Sequence, residues 1–567
     1  SSHFGSSSQA HRHGPALQSN MEVPPPLVLA QGQKRHTQCV GDFGDAAFFE
    51  HVDRHRDVYV NRLAEFCAIP GVSAEPQRRP EVRKAVEWAK GWLEKLGGAI
   101  RLEELGDEVL PDGSKIPLPP AVLAQFGDDP KKQTLLVYGH LDVQPAKKSD
   151  GWSTDPFVLT EKDGSLYARG ATDDKGPVTA WMWVLEAHQQ LGRELPVNIR
   201  CLFEGMEEAG SKGLPELCKR LGKPGDFLDP KAIDFICISD NYWTGKEKPC
   251  LTHGLRGNIY FHLEIQCSTK DMHSGVMGGS VNEGMTDLVH LMAKLVDSQG
   301  KILVPGITDD VAPVTDREME SYKQVDFDPE VFKKDAGVDT VHNTLLHPTK
   351  EAVLMHRWRY PTLSLHGIEG AFDSVGSKTV IPSKVVGKFS IRTVPNMHPT
   401  KVEELVKKHV DAEFTKLGSP NKMKLTVDKA SMSWYREPDD PNFRAAAAAT
   451  FRVHGVEPSF TREGGSIPIT EVLEEVCDAV CVHIPIGASD DGAHSQNEKI
   501  DCLHYLNGIK LMKCYLDELA ALPAEPDAAA RAAIAAADAS RLASNKWRRK
   551  CKVQLMRFGC ECLECQT

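Results

Sequence analysis

Hydrophobic and polar positions change period several times along the chain, and each change marks an element. Val52, Tyr59, Leu63 and Phe66 fall on one face of a helix near the start. Val82, Val86, Ala89, Leu93 and Leu96 line a second helix, which Gly97-Gly98 ends. Short, mainly apolar runs at 134–138, 197–203 and 233–239 read as buried strands, and 177–190 has a helical period between the first two. Such strands alternating with helices predict an α/β sheet covered on both faces. Between about 250 and 432 the pattern changes. Residues 254–266 and 385–393 alternate as half-buried strands and 281–296 is helical in period, which predicts an inserted α+β domain. The first pattern resumes near Ser433, with an Ala-rich helix over 436–452, a strand at 480–486 and a last helix near 505–522.

These patterns divide the chain into a polar, aperiodic leader (1–45), an α/β domain in two parts (46–249 and 433–522), the insertion (250–432) and a tail (523–567). The leader is rich in Ser, His, Gln, Gly and Pro and is expected to be disordered, with Met21 as one candidate start. The tail is Ala-rich over 528–544, basic over 546–552, and ends with Cys560, Cys562 and Cys565. Three close thiols without a second ligand cluster are a weak basis for a structural zinc site.

Composition narrows the class. At 567 residues the chain exceeds what one hydrophobic core usually serves. Its formal net charge of -12 argues against nucleic acid as the main partner, because phosphate binding needs a basic field. No apolar run approaches the roughly 18 residues of a membrane span. The 15 cysteines follow no regular spacing, and Cys201, Cys237 and Cys267 sit singly in apolar stretches. Free buried thiols and a reducing, cytoplasmic location are expected.

The chemistry gathers at the predicted strand ends. His140 and Asp142 end the first strand, Asp173-Asp174-Lys175 precede a helix, Glu207-Glu208 follow the next strand, Asp240 follows a third, and His494 lies in the loop after the last. In open α/β sheets, sites form beyond the carboxyl ends of strands. Taken singly, each residue fits a commoner role: a surface imidazole, a solvated acidic pair, a turn or cap. Together, two imidazoles and three carboxylates are what two divalent ions sharing one carboxylate require. Only Lys175 offers a positive charge within these motifs, so cations would relieve the repulsion among the acids.

Nine segments carry a resemblance. They are LLVYGHLDVQPA, LYARGATDDKGPV, EGMEEAGSKGL, CISDNYW, KDMHSGVMGGS, RWRYPTLSLHGIEGA, KTVIPSKVVGKFSIRTVPNM, TREGGSIP and GASDDGAHSQNEK. Over residues 46–520 the chain resembles the di-metal peptidase family of carnosine dipeptidases, aminoacylases and glutamate carboxypeptidases, and within it the dipeptidase branch. The resemblance implies that 46–249 and 433–522 form the catalytic domain and 250–432 a lid and dimerisation domain. It implies two divalent ions per subunit, Mn²⁺ or Zn²⁺. His140 and Asp240 would hold one, Glu208 and His494 the other, with Asp173, joined to Asp174 by a cis peptide, bridging them. Asp142 would orient His140, and Glu207 would act as general base and acid toward a water between the ions. His273 would steady the oxyanion from the partner subunit of a homodimer, with Thr379 also contacting substrate in trans. Arg392 would grip the substrate carboxylate, and Tyr242 and Ser466 would make further contacts. The implied reaction is hydrolysis of dipeptides such as Cys-Gly with broad specificity. A related N-acyl-amino-acid amidohydrolase and a non-catalytic scaffold are the alternatives.

Overall fold

The computed structural model describes residues 45–338 and 344–523. The leader, apart from Asp45, and the features read in the tail therefore lie outside the described residues.

The apolar runs pair into one nine-stranded sheet. Its path runs Ala99–Glu103, Ala121–Phe126, Asn198–Glu204, Thr134–His140, Phe235–Ile238, Val480–His483, Cys250–Leu255 and Trp434–Tyr435, and Ser459–Glu463 pairs with Cys250–Leu255. The four middle strands of this path, from Asn198–Glu204 to Val480–His483, are mutually parallel, while the pairings at 99–126 and between 121–126 and 198–204 are antiparallel. Every residue of Thr134–His140 is buried, as a strand covered on both faces requires. The helix Lys175–Gln190 is buried from Lys175 to His188, which makes it a central core helix with no solvent stripe. The sheet core joins Tyr59, Phe66 and Leu93 from the first helices to Tyr505, Tyr515 and Leu519 from the last.

A second core forms within the insertion. Four strands, in the order Thr362–Glu369, Lys384–Thr393, Gly257–Gln266 and Lys422–Ser431, make an antiparallel sheet. Burial alternates strictly along Gly257–Gln266, so Ile259, Phe261, Leu263 and Ile265 face one way. They pack with Leu288 and Leu291 of Gly284–Met292 and with Val402, Val406 and Val410 of Pro399–Leu417. The fold is thus α/β with an inserted α+β unit.

Several expected elements differ in extent. The stripe through Val52 and Phe66 belongs to two helices, Asp45–Arg54 and Arg56–Cys67. The single strand expected over 254–266 is two. Cys250–Leu255 stays in the large sheet, and Gly257–Gln266 enters the small one. Between them Arg256 donates its backbone N–H toward Glu463 and Gly465, and its side chain to Gly464 O at 3.1 Å and Thr362 Oγ1 at 2.9 Å. This anchoring turns the chain from one sheet into the other. The Ala-rich helix runs Pro441–His454, five residues later than its composition suggests. Pro441 occupies its first turn, and Asp440 accepts a hydrogen bond from Asn442 N at 2.8 Å.

Candidate metal centre and substrate cavity

The parallel pairing sets the strand ends side by side, and the predicted acids and imidazoles follow from it. His140 closes its strand, Glu207 and Glu208 lie on the short turn Glu207–Ala209 after Asn198–Glu204, and Asp240 comes two residues after Phe235–Ile238. Asp173 and Asp174, joined by a cis peptide bond, precede the central helix.

Asp173 is the hub. His140 Nε2 lies 3.0 Å from Asp173 Oδ1, and His494 Nε2 lies 3.0 Å from Asp173 Oδ2. On the first side Asp240 Oδ1 is 3.8 Å from His140 Nε2, and on the second Glu208 Oε2 is 3.1 Å from His494 Nε2. One ligand atom each from His140, Asp173 and Glu208 falls within 4.8 Å of the others. The two oxygens of one carboxylate therefore face two separate nitrogen–oxygen donor sets, an arrangement that fits two cations sharing a bridging carboxylate.

The electrostatics point the same way. Burial pushes Asp240 up to about 6, and the charge of Asp173 adds to it. Burial also pushes Glu207 well above its usual range, with Asp240, Glu208 and Asp142 adding to the effect against the pull of His140. Hydrogen bonds to Asp173 and Glu208 raise His494 to about 11. The acids thus draw both imidazoles toward the protonated form, and divalent ions would answer the same demand. Lys175 does not compensate them. Its buried ammonium turns inward, donating to Phe66 O at 3.0 Å and Ile69 O at 2.8 Å, and burial lowers it to about 8.

Asp142 does more than face His140, whose Nδ1 lies 3.1 Å from its backbone oxygen and 3.4 Å from Oδ1. Its two carboxylate oxygens accept the backbone N–H groups of Glu207 and Glu208 at 3.2 and 3.1 Å. One buried acid fixes both the imidazole and the acidic pair. Asp142→Asn is expected to weaken metal binding about 10–100-fold, because an amide nitrogen would meet one of those N–H groups. Metal titration of the folded variant checks this, and unchanged affinity would refute it.

The adjacent glutamates differ. Glu208 Oε2 accepts from Gln144 Nε2 at 2.7 Å and faces His494. The carboxylate of Glu207 has no hydrogen bond or ion pair among the described residues, yet it lines a cavity of about 1020 Å³ with Asp173, Asp240 and His494. Tyr242 and Ser466 line the same cavity. Among the described residues the buried Tyr242 hydroxyl and the side-chain amide of neighbouring Asn241 have no partner, which suits groups awaiting a ligand. Ser466 Oγ accepts from Arg392 Nη1 at 2.8 Å and donates to Arg256 O at 2.5 Å, so Arg392 is tethered at the cavity wall. His273 and Thr379 are not among the lining residues. They sit together on an exposed ribbon in which Met272–His273 pairs with Val380–Ile381, and Ser274 N donates to Thr379 O at 3.1 Å.

Sequence reasoning missed the supports of the His494 loop. Glu498, fully buried, accepts the backbone N–H groups of Gly170, Thr172 and Asp173 at 3.0, 3.1 and 3.2 Å on Oε1, and Arg169 Nη1 at 2.6 Å on Oε2. Asp491 accepts Thr172 Oγ1 at 2.9 Å and Lys499 Nζ at 2.9 Å. Both acids lie within or beside the GASDDGAHSQNEK segment, whose density of acids around His494 was the available signal.

The description "Peptidase family M20/M25/M40" matches residues 136–518, the span that carries every one of these residues. The chain belongs to that peptidase family. It is 46% identical over 476 residues to the human Beta-Ala-His dipeptidase, covering 84% of this chain and 92% of the relative. It is 47% identical over 475 residues to the Cys-Gly metallodipeptidase dug1 of Schizosaccharomyces pombe, covering 84% and 98%. Among solved structures it resembles the di-peptidase Dug1p from Saccharomyces cerevisiae, with a TM-score of 0.80, 44% identity and coverage of 85% of this chain and 100% of that one. As a member of this metallopeptidase family it uses divalent metal.

Proposed function

We propose that the protein hydrolyses the peptide bond of unblocked dipeptides, Cys-Gly among them, with two divalent ions, Mn²⁺ or Zn²⁺, held by His140 and Asp240 on one side and His494 and Glu208 on the other, Asp173 bridging. The observation that carries this reading is the contrast between adjacent acids: Glu208 is engaged by Gln144 and His494, while Glu207 faces the cavity without a hydrogen bond or ion pair among the described residues. When bound, the ions supply Lewis acidity to the scissile carbonyl and acidify water. Glu207 takes the proton of the attacking water and returns it to the leaving amine. Arg392, steadied by Ser466, binds the substrate's terminal carboxylate. The surplus of carboxylates at the metal end receives the free α-ammonium group. Recognition of features common to every dipeptide gives broad side-chain tolerance.

The exposed His273–Thr379 ribbon supports a homodimer in which each subunit lends these residues to its partner's cavity, with 250–432 acting as lid and dimerisation domain. A reducing, cytoplasmic location is supported by the ten described cysteines, all unpaired and nine of them buried. Among the described residues no helix is long and apolar enough to cross a membrane.

The test is cleavage of Cys-Gly and N-acetyl-Cys-Gly by purified protein after EDTA treatment and after return of Mn²⁺ or Zn²⁺. Metal-dependent cleavage of the free-amine form alone is expected. Cleavage of the acetylated form alone would identify an N-acyl-amino-acid amidohydrolase, and no cleavage of either a scaffold.

A further inference from the structure

Besides Ser466 the cavity wall carries Arg357. Arg256, behind this wall, feels the charges of Arg392 and Arg357 and the opposing charge of Glu463. Burial, then the charge of Arg392, lowers Arg256 to about 10, with Arg357 contributing in the same direction. Arg256 is committed to the fold through Gly464 and Thr362, and Arg392 to Ser466. Arg357 differs. It lies near the end of Lys350–Trp358, lines the cavity half-buried, and has no hydrogen bond or ion pair from its guanidinium among the described residues. Its guanidinium carbon sits 4.7 Å from the ring centre of Phe332 and 5.7 Å from that of Phe327. The guanidinium lies over these rings, which leaves its N–H fork unspent.

The other cavity cations are already matched. Lys246 pairs with Asp335 at 3.5 Å and Asp490 at 3.0 Å, and Lys499 with Asp490, Asp491 and Asp501. Of the lining acids beside Phe327, Asp328 accepts Glu330 N at 2.8 Å and Asp326 accepts Lys248 N at 3.4 Å, and neither pairs with Arg357. Arg357 is therefore the one lining cation without a carboxylate partner among the described residues. Its backbone runs beside the wall segment that includes Ser466. A Cβ built on Gly464 would come within 3.1 Å of Arg357 O and 3.0 Å of Arg256 Nη2, and Gly465 and Ser466 come next along the cavity wall. The backbone of Arg357 thus packs beside Gly464, two residues before the Ser466 that tethers Arg392.

We propose that Arg357 is a specificity-determining residue that binds an acidic side chain on the C-terminal residue of the dipeptide, making Xaa-Glu and Xaa-Asp favoured substrates within the broad range. This rests on the dipeptidase reading above. A guanidinium fork matches a carboxylate in two hydrogen bonds, and in a partly desolvated wall that pairing outweighs the neutral amide of Gln.

The experiment compares kcat/KM for Ala-Glu and Ala-Gln, with Ala-Gly as reference, in the metal-loaded full chain and its R357M and R357E variants. Wild type is expected to favour Ala-Glu over Ala-Gln by about tenfold, the worth of one charge-assisted hydrogen bond. The ratio should fall to near one in R357M and below one in R357E, with the change in KM. R357M keeps the length of the side chain over the rings, so it tests the charge even if R357E misfolds. A wild-type ratio near one, or a ratio unmoved in R357M, would overturn the assignment while Ala-Gly cleavage leaves the dipeptidase reading standing. Absence of cleavage of all three would overturn both.

Discussion

Glu207→Gln is expected to keep fold and metal content while lowering kcat about 10²–10⁴-fold, the usual contribution of a general base. The substitution is nearly isosteric. The backbone N–H of residue 207 still donates to Asp142, so the turn that holds Glu208 is preserved. The Glu208 side chain keeps Gln144 and His494 as partners. What disappears is a carboxylate that faces the cavity and makes no hydrogen bond or ion pair within the described residues. An amide there cannot accept the proton of the attacking water. The measurement is kcat beside elemental metal analysis and a thermal melt of the same preparation. Retained turnover with full metal content would remove Glu207 from its role, and loss of metal together with turnover would make it a ligand instead.

His273→Ala and Glu207→Ala are each expected to be nearly inactive, and to recover activity when their subunits exchange. The loss for His273→Ala should be about 10²–10³-fold, the scale of one oxyanion donor. His273 lies on a solvent-exposed ribbon, its Nδ1 accepting Gly275 N at 3.0 Å, away from the residues that line its own chain's cavity. A side chain that serves only the partner's site produces a distinctive result. In a random mixture half the dimers are mixed, and each mixed dimer has one cavity with both an intact Glu207 and a donated His273. Recovery of about a quarter of wild-type activity follows for a two-fold symmetric dimer. Recovery absent despite exchange shown by mass spectrometry would refute donation in trans. A His273→Ala enzyme of normal activity would refute the oxyanion role itself.

The periodicity of the chain determined a large part of this protein. Mainly apolar runs announced the buried parallel strands, because a strand covered on both faces keeps no regular polar side. Once those runs were strands, His140, Glu207, Glu208 and Asp240 had to share one edge of the sheet, and side-chain chemistry supplied the rest. The outcome of Lys175 was not legible. Its place in the acidic motif suggested a counter-charge, but the carbonyls of Phe66 and Ile69, 109 and 106 residues away, draw it inward. The break at Arg256 was equally hidden, since alternation runs on through 254–266 and only the contacts with Glu463, Gly464 and Thr362 divide it between two sheets. Nothing local marks Glu498 for burial, and it becomes a support because three N–H groups of 170–173 converge on it. Local pattern fixed which residues form elements and which chemistry they carry. Tertiary structure alone decided the partners of polar groups, because hydrogen bonds and desolvation depend on neighbours that are distant in the chain.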